Sequence, residues 1–410
     1  MGHRALVSLR PPPQADIVLS MPISADVRER LRDLVALRRA LHRCPEEGFQ
    51  ERRTAALIRE RLAKWGIPHR TMCGTGTVAL VRGARPGPTI LVRADMDGLP
   101  VREENRVPYA SRNRGLMHAC GHDGHVAMAL TAAGLLQRRR ASLRGNVKFM
   151  FQPAEEGPGG AGPMVEAGVL RNPRVDAAFA LHLWNDLPTG RVGVRPGPVF
   201  ASMDEFRLTV TGKGGHGGAP HQTVDPVLAA AQIVVASQSI VSRRVDPVEA
   251  AVVTFGMVHG GTRLNVIPDE VVLEGTARAF QGPVRRQILR EIPKVARGIA
   301  SGLGAKVRFE KLQGYPSTVN DPAMTRRVRE AVREALGPAA AVEQAPSMGA
   351  EDMALVLREV PGCYFFLGSR NPRKGLTWPH HSAHFDFDED ALPLGVEVWL
   401  RLAHRFLGGP

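Results

Sequence analysis

The chain has 410 residues, 43% hydrophobic and 23% charged, which is too long for one ordinary core and too apolar for a disordered or fibrous polymer. No stretch approaches 18 unbroken apolar residues; the best, Val227 to Val241, is interrupted by Gln232, Ser237, Gln238 and Ser239, which excludes a membrane span. The net charge of +14 comes mostly from Arg scattered along the whole chain, so it reads as a solvated surface rather than a nucleic-acid or membrane footprint.

Residues 1–20 contain Pro11-Pro12-Pro13 and lack the apolar core of a secretory signal, which predicts a flexible leader on a cytoplasmic protein. Helical periodicity begins near Ala25, with Val27, Leu31, Leu34, Val35 and Leu41 on one face, and a second amphipathic stretch covers about 53–65. Short β-rich runs follow at Thr77–Val81, Thr89–Ala94, Val147–Phe151, Ala177–Leu183 and Tyr364–Leu367. Helical stretches lie between them near 123–138 and 322–335. Strands alternating with helices predict an α/β fold with a mixed central sheet flanked by helices.

Residues 200–314 have a different rhythm. Strands are expected near 205–211, 250–258, 270–279 and 306–312, with helices near 225–243 and 283–303. That order is β-α-β-β-α-β. Gly193–Pro198 and Gly314–Ser317 punctuate its two ends. The economical organisation is a large discontinuous unit, 21–199 with 315–410, carrying a small inserted one at 200–314.

Chemistry-bearing residues cluster beside the strands of the large unit. Arg93-Ala-Asp95-Met-Asp97 ends one strand, Phe151-Gln-Pro-Ala-Glu155-Glu156-Gly157 follows another, and His182 and Trp184 close a third. Met117-His118-Ala-Cys120-Gly-His122-Asp123-Gly-His125 opens a helix, and His380-His381-Ser-Ala-His384 lies near the C-terminus. Ligands of α/β sheets gather at the carboxyl ends of strands, so these segments could converge. The four cysteines, Cys44, Cys73, Cys120 and Cys363, lie too far apart for a disulfide framework. A thiolate with imidazoles and carboxylates suits Zn²⁺, Co²⁺ or Mn²⁺ better than Ca²⁺. Adjacent side chains after a strand diverge, so Glu155 and Glu156 can do separate jobs, one on a metal and one as a base.

The segment Arg38-Arg39-Ala-Leu41-His42-Arg-Cys-Pro45-Glu46-Glu47-Gly48-Phe49-Gln50-Glu51 resembles the N-terminal signature of the N-acyl-amino-acid amidohydrolases. That family includes hippurate hydrolases and plant indole-3-acetyl-amino-acid hydrolases and is related to dinuclear metal carboxypeptidases. Arg93–Pro100, Met117–His125, Phe151–Gly157, Lys213–Pro226, Asn265–Pro268, Met348–Met353 and His381–Phe387 resemble its further motifs, in order across residues 30–400. The resemblance implies two divalent ions held by Cys120, His122, Glu156, His182 and His381. It implies Glu155 as general base, Asp97 as a supporting acid, and His216 as a lid histidine that stabilises the developing oxyanion, acting across a dimer. Asn265 and Arg278 become candidate contacts for the substrate amide or carboxylate. The inserted unit becomes a lid and the surface of a homodimer.

The implied reaction is hydrolysis of an N-acyl amino acid, a small-molecule substrate, by an activated water. A dipeptidase or carboxypeptidase on the same scaffold, or a catalytically silent binding protein, is the alternative. No Gly-x-Ser-x-Gly elbow is present, and Cys120 with His122 only two positions away is poorly placed for a thiol-protease pair.

Overall fold

The computed structural model describes residues 23–408, so the leader expected over residues 1–20 lies outside the described residues. The chain builds an eight-stranded sheet in the order His69–Met72, Gly76–Arg82, Arg144–Gln152, Arg85–Asp95, Ala177–Pro188, Gly362–Arg370, Val192–Gly193, Ala341–Val342. The four strands at its centre, from Arg144–Gln152 to Gly362–Arg370, run parallel. Parallel strands are covered on both faces and therefore read as continuous apolar runs. The last seven residues of Arg85–Asp95 are all buried, as are the first eight of Gly362–Arg370.

Alternate residues of these strands feed two cores. Ile90, Val92, Phe149, Phe179, Leu181 and Phe365 pack with the helices Leu31–His42, His122–Arg138 and Ala391–Leu407 on one face. Leu91, Met150, Ala178, Ala180, Tyr364 and Phe366 form the core on the other. The helix Pro322–Leu336 starts where Asp321 accepts hydrogen bonds from the backbone N–H groups of Ala323 and Met324, with Pro322 at its first position. The first long helix differs from its sequence pattern: Leu34, Leu37 and Leu41 are buried, but Leu31 and Val35 are only half-buried, and Arg38 and His42 take fully buried places.

A second, four-stranded antiparallel sheet runs in the order Ala251–Gly260, Glu270–Ala279, Ser202–Thr211, Lys306–Tyr315. Its helices, Pro226–Arg243 and Gly282–Gly302, complete the β-α-β-β-α-β succession and bury Phe206, Leu208, Val210 and Leu273 in a core of their own. Sequence reading had no sign of a further two-stranded ribbon, Gly215–His216 against Val266–Ile267, in which His216 pairs with Val266. The chain passes between the two sheets twice, and there Gly197–Phe200 pairs antiparallel with Thr318–Asn320. Among the described residues no helix is long and apolar enough to cross a membrane.

Candidate dinuclear metal centre

Backbone geometry delivers the donors to one end of the central parallel strands. Asp95 ends its strand and Asp97 follows two residues later. Gly121, at φ +88°, makes the turn that sets His122 at the first position of its helix, with Cys120 just before it. Ala154, at φ +55°, turns the chain after Arg144–Gln152 and aims Glu155 and Glu156 to different sides. His182 lies within Ala177–Pro188. His381 adopts φ +66°, and its N–H donates to the Ala119 carbonyl at 2.8 Å, which ties the distant C-terminal loop to the Cys120 segment.

These side chains meet. Cys120 Sγ lies 3.5 Å from His182 Nε2. Glu156 Oε1 lies 3.2 Å from His381 Nε2 and 3.9 Å from His122 Nε2. The donor atoms fall into two overlapping groups, Cys120 with His122 and His182, and Cys120 with Glu156 and His381, each with its atoms within 4.8 Å of one another. Cys120 is common to both.

The donor set fits a pair of cations. His122 Nε2 and Glu156 Oε1 are buried polar atoms without a hydrogen-bond partner, a costly arrangement that a bound cation relieves. Burial, with His125 and His380 nearby, holds the His182 imidazole well below its usual pKa, so the ring is neutral as a ligand must be. Its Nδ1 meets the Leu183 carbonyl, which directs Nε2 toward Cys120. Burial and the Glu156 and Glu155 carboxylates push the Cys120 thiol up, a bias that neighbouring cations oppose. Asp97 contacts two of the candidate ligands at once: one carboxylate oxygen lies 3.1 Å from His122 Nδ1, and the other accepts the Glu156 N–H at 2.9 Å.

Glu155 sits apart from the ligands but within reach of them, grouped with His122 and Glu156 on one side and with Glu351 and Asp352 on the other. Burial, together with the Glu351 and Glu156 charges, raises its pKa well above the usual carboxylate range. The cluster floors a cavity of about 350 Å³ lying between the two sheets. Trp184, Phe200 and Tyr364 give it an aromatic wall, and Met203, Glu205, Arg278, Gln313 and Tyr315 of the second sheet roof it.

The ten residues singled out in the sequence are not all brought together. Arg278 lines the cavity, and its Nη1 donates to the Met348 carbonyl at 2.8 Å. His216 and Asn265 are exposed neighbours on the small ribbon, where Gly217 N–H donates to the Asn265 carbonyl, and neither lines the cavity of its own chain.

Two buried charge networks carry residues to which the sequence assigned no role. Arg93 pairs with Asp95 at 2.5 Å, Glu351 at 2.8 Å and Asp352 at 3.1 Å, and Tyr364 Oη donates to Glu351 at 2.8 Å. Asp95 in turn lies 2.5 Å from His125 Nδ1. Arg38, wholly buried, joins Asp123 at 2.8 Å to Asp386 at 2.7 Å and so clamps the segments that bear His122 and His381. The usable signal was a charge inside an otherwise apolar strand or helix face.

The chain belongs to peptidase family M20/M25/M40, whose family model matches residues 91–405. It is a hydrolase of amide bonds. It is 40% identical over 386 residues to thermostable carboxypeptidase 1 of Saccharolobus solfataricus, covering 93% of this chain and 97% of that one. It is 41% identical over 375 residues to an N-acetylcysteine deacetylase of Bacillus subtilis, covering 90% and 96%. A crystal structure from Bacillus subtilis, described as a dinuclear metal-binding peptidase of the M20 family, superimposes with a TM-score of 0.81 at 38% identity over 93% of this chain and 99% of that one.

Proposed function

We propose that the protein is a metal-dependent amidohydrolase that cleaves an N-acyl-L-amino acid into a carboxylic acid and a free amino acid. The observation that carries this reading is the convergence of Cys120, His122, Glu156, His182 and His381, all but the buried His122 lining the cavity, with Glu155 beside them. Those five side chains would hold two divalent ions, Zn²⁺, Mn²⁺ or Co²⁺. When bound, such ions polarise an amide carbonyl and lower the pKa of a water from 15.7 toward about 7.

The residues of the chain do the rest. Glu155 takes the proton of the attacking water and returns it to the departing nitrogen; its raised pKa suits a group that must hold a proton between those two events. Asp97 fixes the His122 ring and the Glu156 backbone. Arg278 faces the substrate carboxylate with the N–H groups not spent on Met348. The roof lies over the cavity as a lid that limits access of bulk water.

His216 and Asn265 enter this scheme through a homodimer. Val227, Leu228 and Val235 of one lid helix are exposed, as are Met257 and Val258 on the edge strand beside it, an apolar surface that a second copy would cover. The ribbon bearing His216 and Asn265 would then serve the partner's cavity, with His216 donating to the developing oxyanion.

A second reading, release of a C-terminal residue from a peptide, has support from the similarity to thermostable carboxypeptidase 1. A hydrolysis screen decides between them. Protein reconstituted separately with Zn²⁺, Mn²⁺ and Co²⁺ is offered N-acetyl, N-benzoyl and longer acyl amino acids alongside dipeptides, with free amine as the readout. The proposal requires turnover of acyl amino acids that chelation abolishes and metal restores. Turnover confined to peptides, or undiminished by chelation, would refute it.

A further inference from the structure

The roof of the cavity carries a charge that hydrolysis itself does not use. Strand register puts Met203 opposite both Arg278 and Tyr315, and Glu205 opposite Thr276, so these side chains share the face of the second sheet turned away from its helices. Farther along that face the charges are matched: Arg207 meets Glu274 at 2.6 Å and Glu310 at 3.9 Å. At the cavity the matching stops. Among the described residues the Glu205 carboxylate has no hydrogen bond and no ion pair. Arg278, on the next strand, gives its Nη1 to the Met348 carbonyl and attracts Glu205 only through space, without an ion pair.

The other acids lining the cavity are occupied. Glu351 is held by Arg93 and the Tyr364 hydroxyl, each at 2.8 Å, and Glu155 and Glu156 belong to the catalytic floor. Shortage of cations does not explain the vacancy at Glu205, because the chain has 54 basic residues against 40 acidic ones. A half-buried carboxylate with no ion pair, facing the cavity, is a ready site for a ligand cation.

Resting on the amidohydrolase reading, we propose that Glu205 is a specificity-determining residue that selects acyl amino acids whose side chain ends in a cation, the N-acyl-lysine and N-acyl-arginine class. Diagonal neighbours on paired strands stand about 7–8 Å apart. With the α-carboxylate at Arg278, a long aliphatic stem crosses the apolar surface of Met203 and sets its terminal charge against Glu205. Gln313, on the same cavity wall, adds an amide acceptor.

The test compares kcat/KM for Nα-acetyl-lysine, N-acetyl-norleucine and N-acetyl-glutamate in the metal-loaded wild type, Glu205→Gln and Glu205→Lys. The wild type is expected to prefer lysine over its uncharged analogue norleucine by about 5- to 10-fold. Glu205→Gln should reduce that ratio to about 1, with the change in KM rather than kcat, and Glu205→Lys should shift the preference to glutamate. An unchanged lysine-to-norleucine ratio in Glu205→Gln would overturn the Glu205 assignment and leave the amidohydrolase reading standing. Absence of a lysine preference in the wild type would overturn the Glu205 assignment alone, whereas failure of the wild type on these three and on N-benzoyl and longer acyl amino acids alike would overturn both.

Discussion

Glu155 and Glu156 are adjacent in the chain and have different surroundings. Glu156 Oε1 faces His381 and His122, whereas Glu155 faces Glu351 and Asp352, where a negative charge is disfavoured. The scheme assigns metal binding to one and proton transfer to the other. Glu155→Gln is therefore expected to lower kcat by about 10²–10⁴-fold while two ions per chain persist in metal analysis. A second residue-scale expectation concerns His42. Burial and the Arg38 charge oppose its protonation, but Asp123 and Glu103 outweigh them and raise its pKa to about 8. A raised folded-state value stabilises the fold fully below the ordinary value of 6.5 and loses that contribution as pH rises through about 8. Urea unfolding should show about 2 kcal/mol of stability disappearing across that window, and His42→Gln should flatten the slope.

Among the elements, the loop from Ala154 to Gly157 matters most because it carries both carboxylates. It is shaped from outside by the N-terminal signature. A Cβ on Gly48 would lie 2.6 Å from the Gly157 carbonyl oxygen and 2.9 Å from Ala154 Cα, both backbone atoms with little freedom to retreat. Gly48→Ala is expected to displace the loop, weakening metal affinity in calorimetric titration by at least tenfold and costing about 1–3 kcal/mol of stability. This contact gives part of the signature a physical reason that the sequence could not show, since residues 48 and 157 meet only in the fold. What was legible followed local rules. Apolar runs such as Thr89–Ala94 announced buried strands, and alternation of Phe206, Leu208 and Val210 announced a half-covered one. Arg38 and His42 broke the helical pattern because partners more than 80 residues away neutralise them. The Gly215–His216 ribbon escaped notice because two-residue strands carry no periodicity.

At the scale of the whole molecule, candidate ligands drawn from positions 120 to 381 would couple metal binding to the integrity of the large sheet. Chelation is expected to lower the unfolding midpoint reversibly; free metal at about 100 times its Kd contributes about 2.7 kcal/mol. The exposed apolar surface on the second sheet and its helix gives a separate expectation, which rests on the proposed homodimer. Val258, 61% exposed on the edge strand, is a position where Val258→Asp should leave the fold intact and shift the mass in sedimentation from dimer to monomer. Loss of turnover on dissociation would further support His216 acting on the partner's cavity.

Phe200 and Thr318, which flank the second sheet where the chain enters and leaves it, are paired directly across two short strands. Everything between them is therefore topologically a single excursion whose ends are already side by side. Such an excursion can be exchanged between relatives as one cassette, spliced at those two residues, without rethreading the eight strands beneath. If the second sheet carries the proposed selectivity, a graft of the cassette, with His216 in it, should transfer substrate choice between relatives while the candidate ligands below stay in place.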